Sequence, residues 1–155
     1  MRTAAVVVAT LAICLGVAAP RAGAGWPPWS VLSSGGAVPV PGGGDAGAVI
    51  IASQKALAKY TPVALVPGGY PPHGWQTFDW THNLVLLVVA RHQSAFPEVV
   101  GLVRRQATLR IVISSVPANP SSIVTPTWTA LRVSRRVIGK PFPKYLIVMT
   151  AQPAP

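Results

Sequence analysis

The chain has almost no acids. Its 155 residues include three, Asp45, Asp79 and Glu98, against 13 lysines and arginines. Glycoside hydrolysis asks for two carboxylates flanking one bond. Asp45 sits in a Gly/Pro-rich stretch, and Asp79 and Glu98 fall in separate turns, so no such pair forms. Cysteine is limited to Cys14. If it leaves with an N-terminal leader, the rest of the chain has no disulfide, thiolate metal site or cysteine nucleophile. No Gly-x-Ser-x-Gly or His-Glu-x-x-His motif is present, which removes the commonest hydrolase signatures. The three histidines, His73, His82 and His92, are spaced by nine and ten residues, matching no zinc-ligand pattern. His82 and His92 bracket one expected strand and would stand roughly 25–30 Å apart, so one ion cannot take both. These absences describe a protein that is not an enzyme and carries no cofactor or metal.

The N-terminus has the three parts of a secretory leader. Met1-Arg2-Thr3 is cationic, residues 4–19 are apolar apart from Thr10, Cys14 and Gly16, and Ala22-Gly23-Ala24 is a small-x-small cleavage site. The apolar run falls short of the roughly 20 residues that span a bilayer. Ile13 precedes Cys14, where lipidation needs a small residue, and the cysteine sits inside the run rather than at its end. Residues 1–24 are therefore expected to be removed, leaving no transmembrane span and placing the protein outside the cytoplasm, secreted or in the cell envelope. About 130 residues remain, enough to bury roughly two thirds of the unfolded surface without disulfides.

Without Arg2 and Arg21 the count is 11 basic residues against 3 acidic, a formal charge of +8. Such a surface attracts anionic wall polymer, lipid headgroups or acidic proteins. Nucleic acid is disfavoured by export and by the lack of an aromatic stacking platform.

Residues 25–45 are rich in glycine and proline and read as a linker. Gly42-Gly43-Gly44-Asp45 lacks the Lys-Ser/Thr of a phosphate loop. Residues 46–52 are β-like, and Ser53 can cap a short amphipathic helix over 54–60 that Thr61-Pro62 ends. Residues 62–74 are loop. Residues 84–90, Leu-Val-Leu-Leu-Val-Val-Ala, form the longest apolar run after the leader, as expected of a central strand buried on both faces. Pro97 cannot lie within a central strand, so a turn at 92–96 ends it. Strands follow at 98–105, 108–116, 126–136 and 145–150, with Gln106-Ala107 as a tight turn, a loop at 117–122 and breaks at Pro141 and Pro143. Short connections favour antiparallel neighbours. The expectation is a mainly β fold: a compact antiparallel domain of about six strands over 46–151, one short helix packed on it, and a frayed tail at 152–155.

This order of elements resembles the C-terminal domain of the protease-complex subunit PrcB family. The matching residues are Ile50-Ile51, Leu57, Phe78-Asp79-Trp80, residues 84–90, the strands at 99–103 and 109–113, Thr125-Pro126-Thr127-Trp128 and Leu131-Arg132-Val133. The match covers residues 47–149. It departs where family members carry a Gly-Gly-Tyr-like turn after the central strand; this chain has Ser94-Ala95-Phe96-Pro97. The resemblance implies an exported, non-catalytic protein that associates with or stabilises a protease or another envelope protein. A basic envelope protein that binds anionic wall polymer or lipid headgroups is the alternative reading.

The candidate partner or anion contacts are Asp79, Trp80, Arg91, Phe96, Arg104, Arg105, Arg110, Trp128, Arg132 and Arg135. Asp79, between two aromatics, suits a turn cap better than an acid catalyst. The arginines stand at strand ends or alternate with apolar residues, as does Arg136, and an antiparallel sheet would gather them on one face. Guanidinium forks suit carboxylate and phosphate. A solvated surface without a partner is the plain alternative.

Overall fold

The computed structural model describes residues 28–36, 39–60, 74–91, 96–114 and 126–151. The leader, the loops at 62–73 and 117–122, most of the 92–96 turn and the tail lie outside these residues. The mainly β fold expected from the sequence is borne out. The described residues form seven strands in two sheets, with two one-turn helices and a 3-10 turn at Trp75–Thr77.

The apolar run becomes strand β3 (Asn83–Ala90). It lies between β2 (Ala46–Ile51) and β6 (Thr127–Ser134), antiparallel to both. Leu84 to Ala90 are all buried, because alternate residues serve opposite layers. Leu84, Leu86 and Val88 face a second sheet, whose Leu109, Ile111 and Ile113 meet them together with Leu131 and Val133 of the neighbouring β6. Val85, Leu87 and Val89 face the other way, into a core with Leu57, Phe78 and Trp128. Helix α1 (Gln54–Leu57) helps to cover that face, and Ser53 caps it by accepting a bond from the Ala56 N–H at 3.1 Å.

The first sheet has the order β1-β6-β3-β2, with β1 spanning Trp29–Gly36. This corrects the reading of residues 25–45 as a linker: their middle is an antiparallel edge strand, Trp29 opposite Val133 and Gly36 opposite Thr127, with a bulge between Val31 and Ser33. The signal was masked because Ser33-Ser34-Gly35-Gly36 has no apolar side chains to alternate with polar ones. Packing explains the glycine. A Cβ at Gly35 would lie 2.8 Å from Cζ2 of the buried Trp128, so the indole lies directly against bare backbone. Only the end of the stretch behaves as a linker, where Gly42 and Gly43 take positive φ and Gly43 N–H donates to Val40 C=O at 3.0 Å.

The second sheet has the order β4-β5-β7. Strands β4 (Val99–Arg105) and β5 (Thr108–Ile113) form the expected hairpin through Gln106-Ala107, with Gln106 at φ 47°. β7 (Tyr145–Thr150) pairs parallel to β5, against the antiparallel expectation. Between β5 and β7 the chain passes through β6 in the other sheet, and that excursion supplies the crossover a parallel pair requires. Residues 135 and 136 were expected to continue the strand. Instead Arg135–Ile138 is helix α2, capped by the Ser134 hydroxyl, which accepts from the Arg136 N–H at 3.3 Å.

Replacing Gly35 by valine should destabilise the fold by about 1–3 kcal/mol through overpacking against Trp128. Urea denaturation checks this. An unchanged midpoint would mean that the indole does not pin β1.

Candidate functional site

The approach to β3 is built from an aromatic trio and two charges. Phe78 is buried and Trp80 half-buried, their ring centroids 4.5 Å apart, with Trp75 at 5.7 and 6.1 Å from them. The Trp80 indole N–H donates to Trp75 C=O at 3.3 Å. This cluster lies against the core under α1, so Trp80 serves packing first.

Asp79 caps the turn, as its sequence setting suggested. Its Oδ1 accepts from the N–H groups of Thr81 and His82, each at 3.1 Å. Its Oδ2 lies 2.8 Å from Nδ1 of the exposed His82. These bonds, the side-chain contact to His82 foremost, hold the carboxyl below its ordinary pKa of 3.8.

Arg135 closes the same turn from the far side. Its Nε donates to Trp80 C=O at 2.9 Å and to Asn83 C=O at 3.1 Å, and its Nη2 donates to Ala52 C=O at 2.6 Å. Its backbone N–H donates to His82 C=O at 2.8 Å. One side chain thus satisfies carbonyls from three segments, a use that suits the rigid guanidinium fork. Named from the sequence as a candidate contact, Arg135 is a clamp. Trp128, also a candidate contact, is buried against Gly35 and cannot face a partner.

The remaining arginines do not gather on one face. Arg132 is exposed on the α1 side of the first sheet, alternating with Trp128 and Ala130. Arg105 and Arg110 are exposed on the outer side of the second sheet. Arg104 points the opposite way, at one end of the sandwich. Its Nη2 donates to Pro141 C=O at 2.8 Å. Arg91 is exposed, its backbone N–H donating to Asp45 C=O at 2.6 Å, and Phe96 is half exposed. The sequence assigned arginines to strands, but it could not say which strands share a sheet.

Two arrangements were not anticipated. The first is the outer side of the second sheet. Val103, Tyr145, Ile147 and Met149 are exposed there by 43, 63, 44 and 42%. The registers set them in rows across the strands: Val103, Arg110 and Ile147; Gly101, Val112 and Met149; Arg105, Thr108 and Tyr145. Among the described residues, no acid lies in these rows. The alternation of β5 was legible, but the outward residues of β7 acquire meaning only beside it.

The second is a pair of grooves on either side of residues 139–142, of about 550 and 490 Å³. Arg135, Arg136 and Lys140 line one; Arg104, Lys140 and Lys144 line the other. Among the described residues, no three His, Cys, Asp or Glu side chains gather as metal ligands, and His73 and His92 lie outside those residues. No family model, curated protein or solved structure matches the chain.

Arg135→Met should cost about 3 kcal/mol, because three carbonyls lose their donor at once. Lysine should restore little, since it cannot span the three acceptors. Chemical denaturation of both variants measures this, and a lysine variant as stable as the parent would show that charge alone suffices. Asp79→Asn keeps an acceptor for the backbone and loses the charge. The lowered pKa of Asp79 means that its contribution is complete above 3.8 and is lost as pH falls through the folded value. The gap in Tm between parent and variant should therefore be open at neutral pH and close on acidification. A gap that does not change with pH would refute the assignment.

Proposed function

We propose that this chain is an exported, non-catalytic accessory protein that docks another protein through the outer side of its second sheet. The observation that carries this reading is the set of exposed apolar side chains around Arg110. Sheets ordinarily turn polar residues to water on their open face, whereas Val103, Tyr145, Ile147 and Met149 turn apolar ones. Tyr, Met and Arg are also the residues that concentrate in protein interfaces.

Charge narrows the partner. A second copy meeting this face would bring arginine against arginine, and the face holds no acid to offset them among the described residues. A partner with carboxylates set among apolar groups meets both features at once. The resemblance of the element order read from the sequence to the PrcB family makes an exported protease the first candidate, and another envelope protein the next.

The test uses the chain as bait in an envelope extract of its own source. The parent should retain a specific protein. Ile147→Asp should weaken that retention roughly 30-fold, the loss typical of a central interface residue, while Lys55→Gln, on α1, should not. Equal recovery with the Ile147 variant would remove the sheet face from the reading. Recovery of no protein by the parent would remove the accessory role itself.

A further inference from the structure

The groove of about 490 Å³ beside residues 139–142 brings together three cations from separate parts of the chain. Arg104 is next to last in β4, Lys140 follows α2, and Lys144 precedes β7. Hydrogen bonds tie together the segments that carry them. The N–H groups of Lys144 and Tyr145 both donate to Ala107 C=O, at 2.8 and 3.1 Å, tying the start of β7 to the β4–β5 turn. Arg104 Nη2 holds Pro141 C=O, which anchors the loop carrying Lys140.

The second nitrogen of that guanidinium, Nη1, is buried and has no hydrogen-bond partner among the described residues. The charge of Arg104 is therefore only partly satisfied. No acid lines the groove, and the nearest described acid in sequence to the adjoining groove, Asp79, is committed to His82 and its own turn. Like charges held together in this way are relieved by an anion. The groove also has a polar wall, the exposed Gln106, and an apolar one, Phe142.

We propose that this groove binds a phosphate group, borne either by a small soluble molecule or by a lipid headgroup. Three cationic donors arriving from different segments suit a tetrahedral oxyanion, which offers oxygens in several directions, better than a flat carboxylate that one fork can saturate. Lys140 and Lys144 supply exposed point charges at the mouth, and Arg104 supplies a fixed one at the base. Arg136 and Arg135, in the groove on the other flank of the same loop, extend the positive field. This site is separate from the sheet face and does not depend on protein docking there.

The test titrates inorganic phosphate into the chain as purified from its producing cell, at constant ionic strength, and follows amide NMR signals. Gln106, Lys140 and Lys144 should shift and saturate, with chloride and acetate leaving them in place. Lys140→Gln with Lys144→Gln should weaken binding by roughly tenfold or more, the loss of two charge-assisted bonds. Both side chains are exposed, so the fold should survive. Lys55→Gln with Lys59→Gln removes the same charge on α1 and should leave binding unchanged. Equal weakening by the two pairs, or no response beyond that to chloride, would overturn the proposal. Glycerol 3-phosphate and vesicles of phosphatidylglycerol, with phosphatidylcholine as control, then separate the sources. Groove-dependent retention on phosphatidylglycerol that the soluble compound cannot displace assigns a headgroup. Groove-dependent binding of the soluble compound without retention assigns a small ligand.

Discussion

The fold depends on burying one strand from both sides. Seven consecutive residues of β3 are buried, and its three leucines and three valines are each worth about 1.5–3 kcal/mol in transfer free energy. No single partner layer can provide this, because alternate side chains point in opposite directions. The second sheet covers Leu84, Leu86 and Val88; α1 and the aromatic trio cover Val85, Leu87 and Val89. The molecule is thus a two-sheet sandwich with a partial third layer. Among the described residues, its charged side chains stand at turns, strand ends and outer faces.

Two charged side chains hold the third layer in place. Asp79 caps the turn from within, and Arg135 clamps it to the segment after β2 and to the start of β3. Arg135 also opens α2, so the bonds that seat the aromatic cover also set where the chain leaves the first sheet. The loop that follows, with Lys140 and Pro141, reaches the end of β4 and meets Arg104. The basic grooves are therefore a downstream result of the turn that protects the core.

Local patterns along the chain were read reliably. Seven apolar residues between turns identified β3, Ser53 identified the start of α1, and the alternation of Leu109, Ile111 and Ile113 gave the face of β5. The readings that failed depended on distant partners. β1 has serine and glycine where a strand would show a pattern, and its logic lies in Trp128, far along the chain. The parallel pairing of β5 with β7 follows from β6 lying in the other sheet. Arg135 looked like an outward strand residue because three carbonyl acceptors leave no trace in sequence. The arginines scattered for the same reason: a strand shows which of its residues share a side, not which strands will lie beside it.

The pairing of β1 with β6 joins the first described strand to the sixth of seven, Trp29 facing Val133. The first sheet cannot be completed until nearly all of the polypeptide is available, so its outermost strand waits for its penultimate one. Until then β1 and one edge of β3 lack the partner they share, and the glycine surface of β1 lacks the Trp128 indole it receives. Such distant pairing slows folding and prolongs exposure of unpaired strands. Closure of this sandwich is therefore a late event in the life of each molecule, and the segment that looks least structured in the sequence completes it.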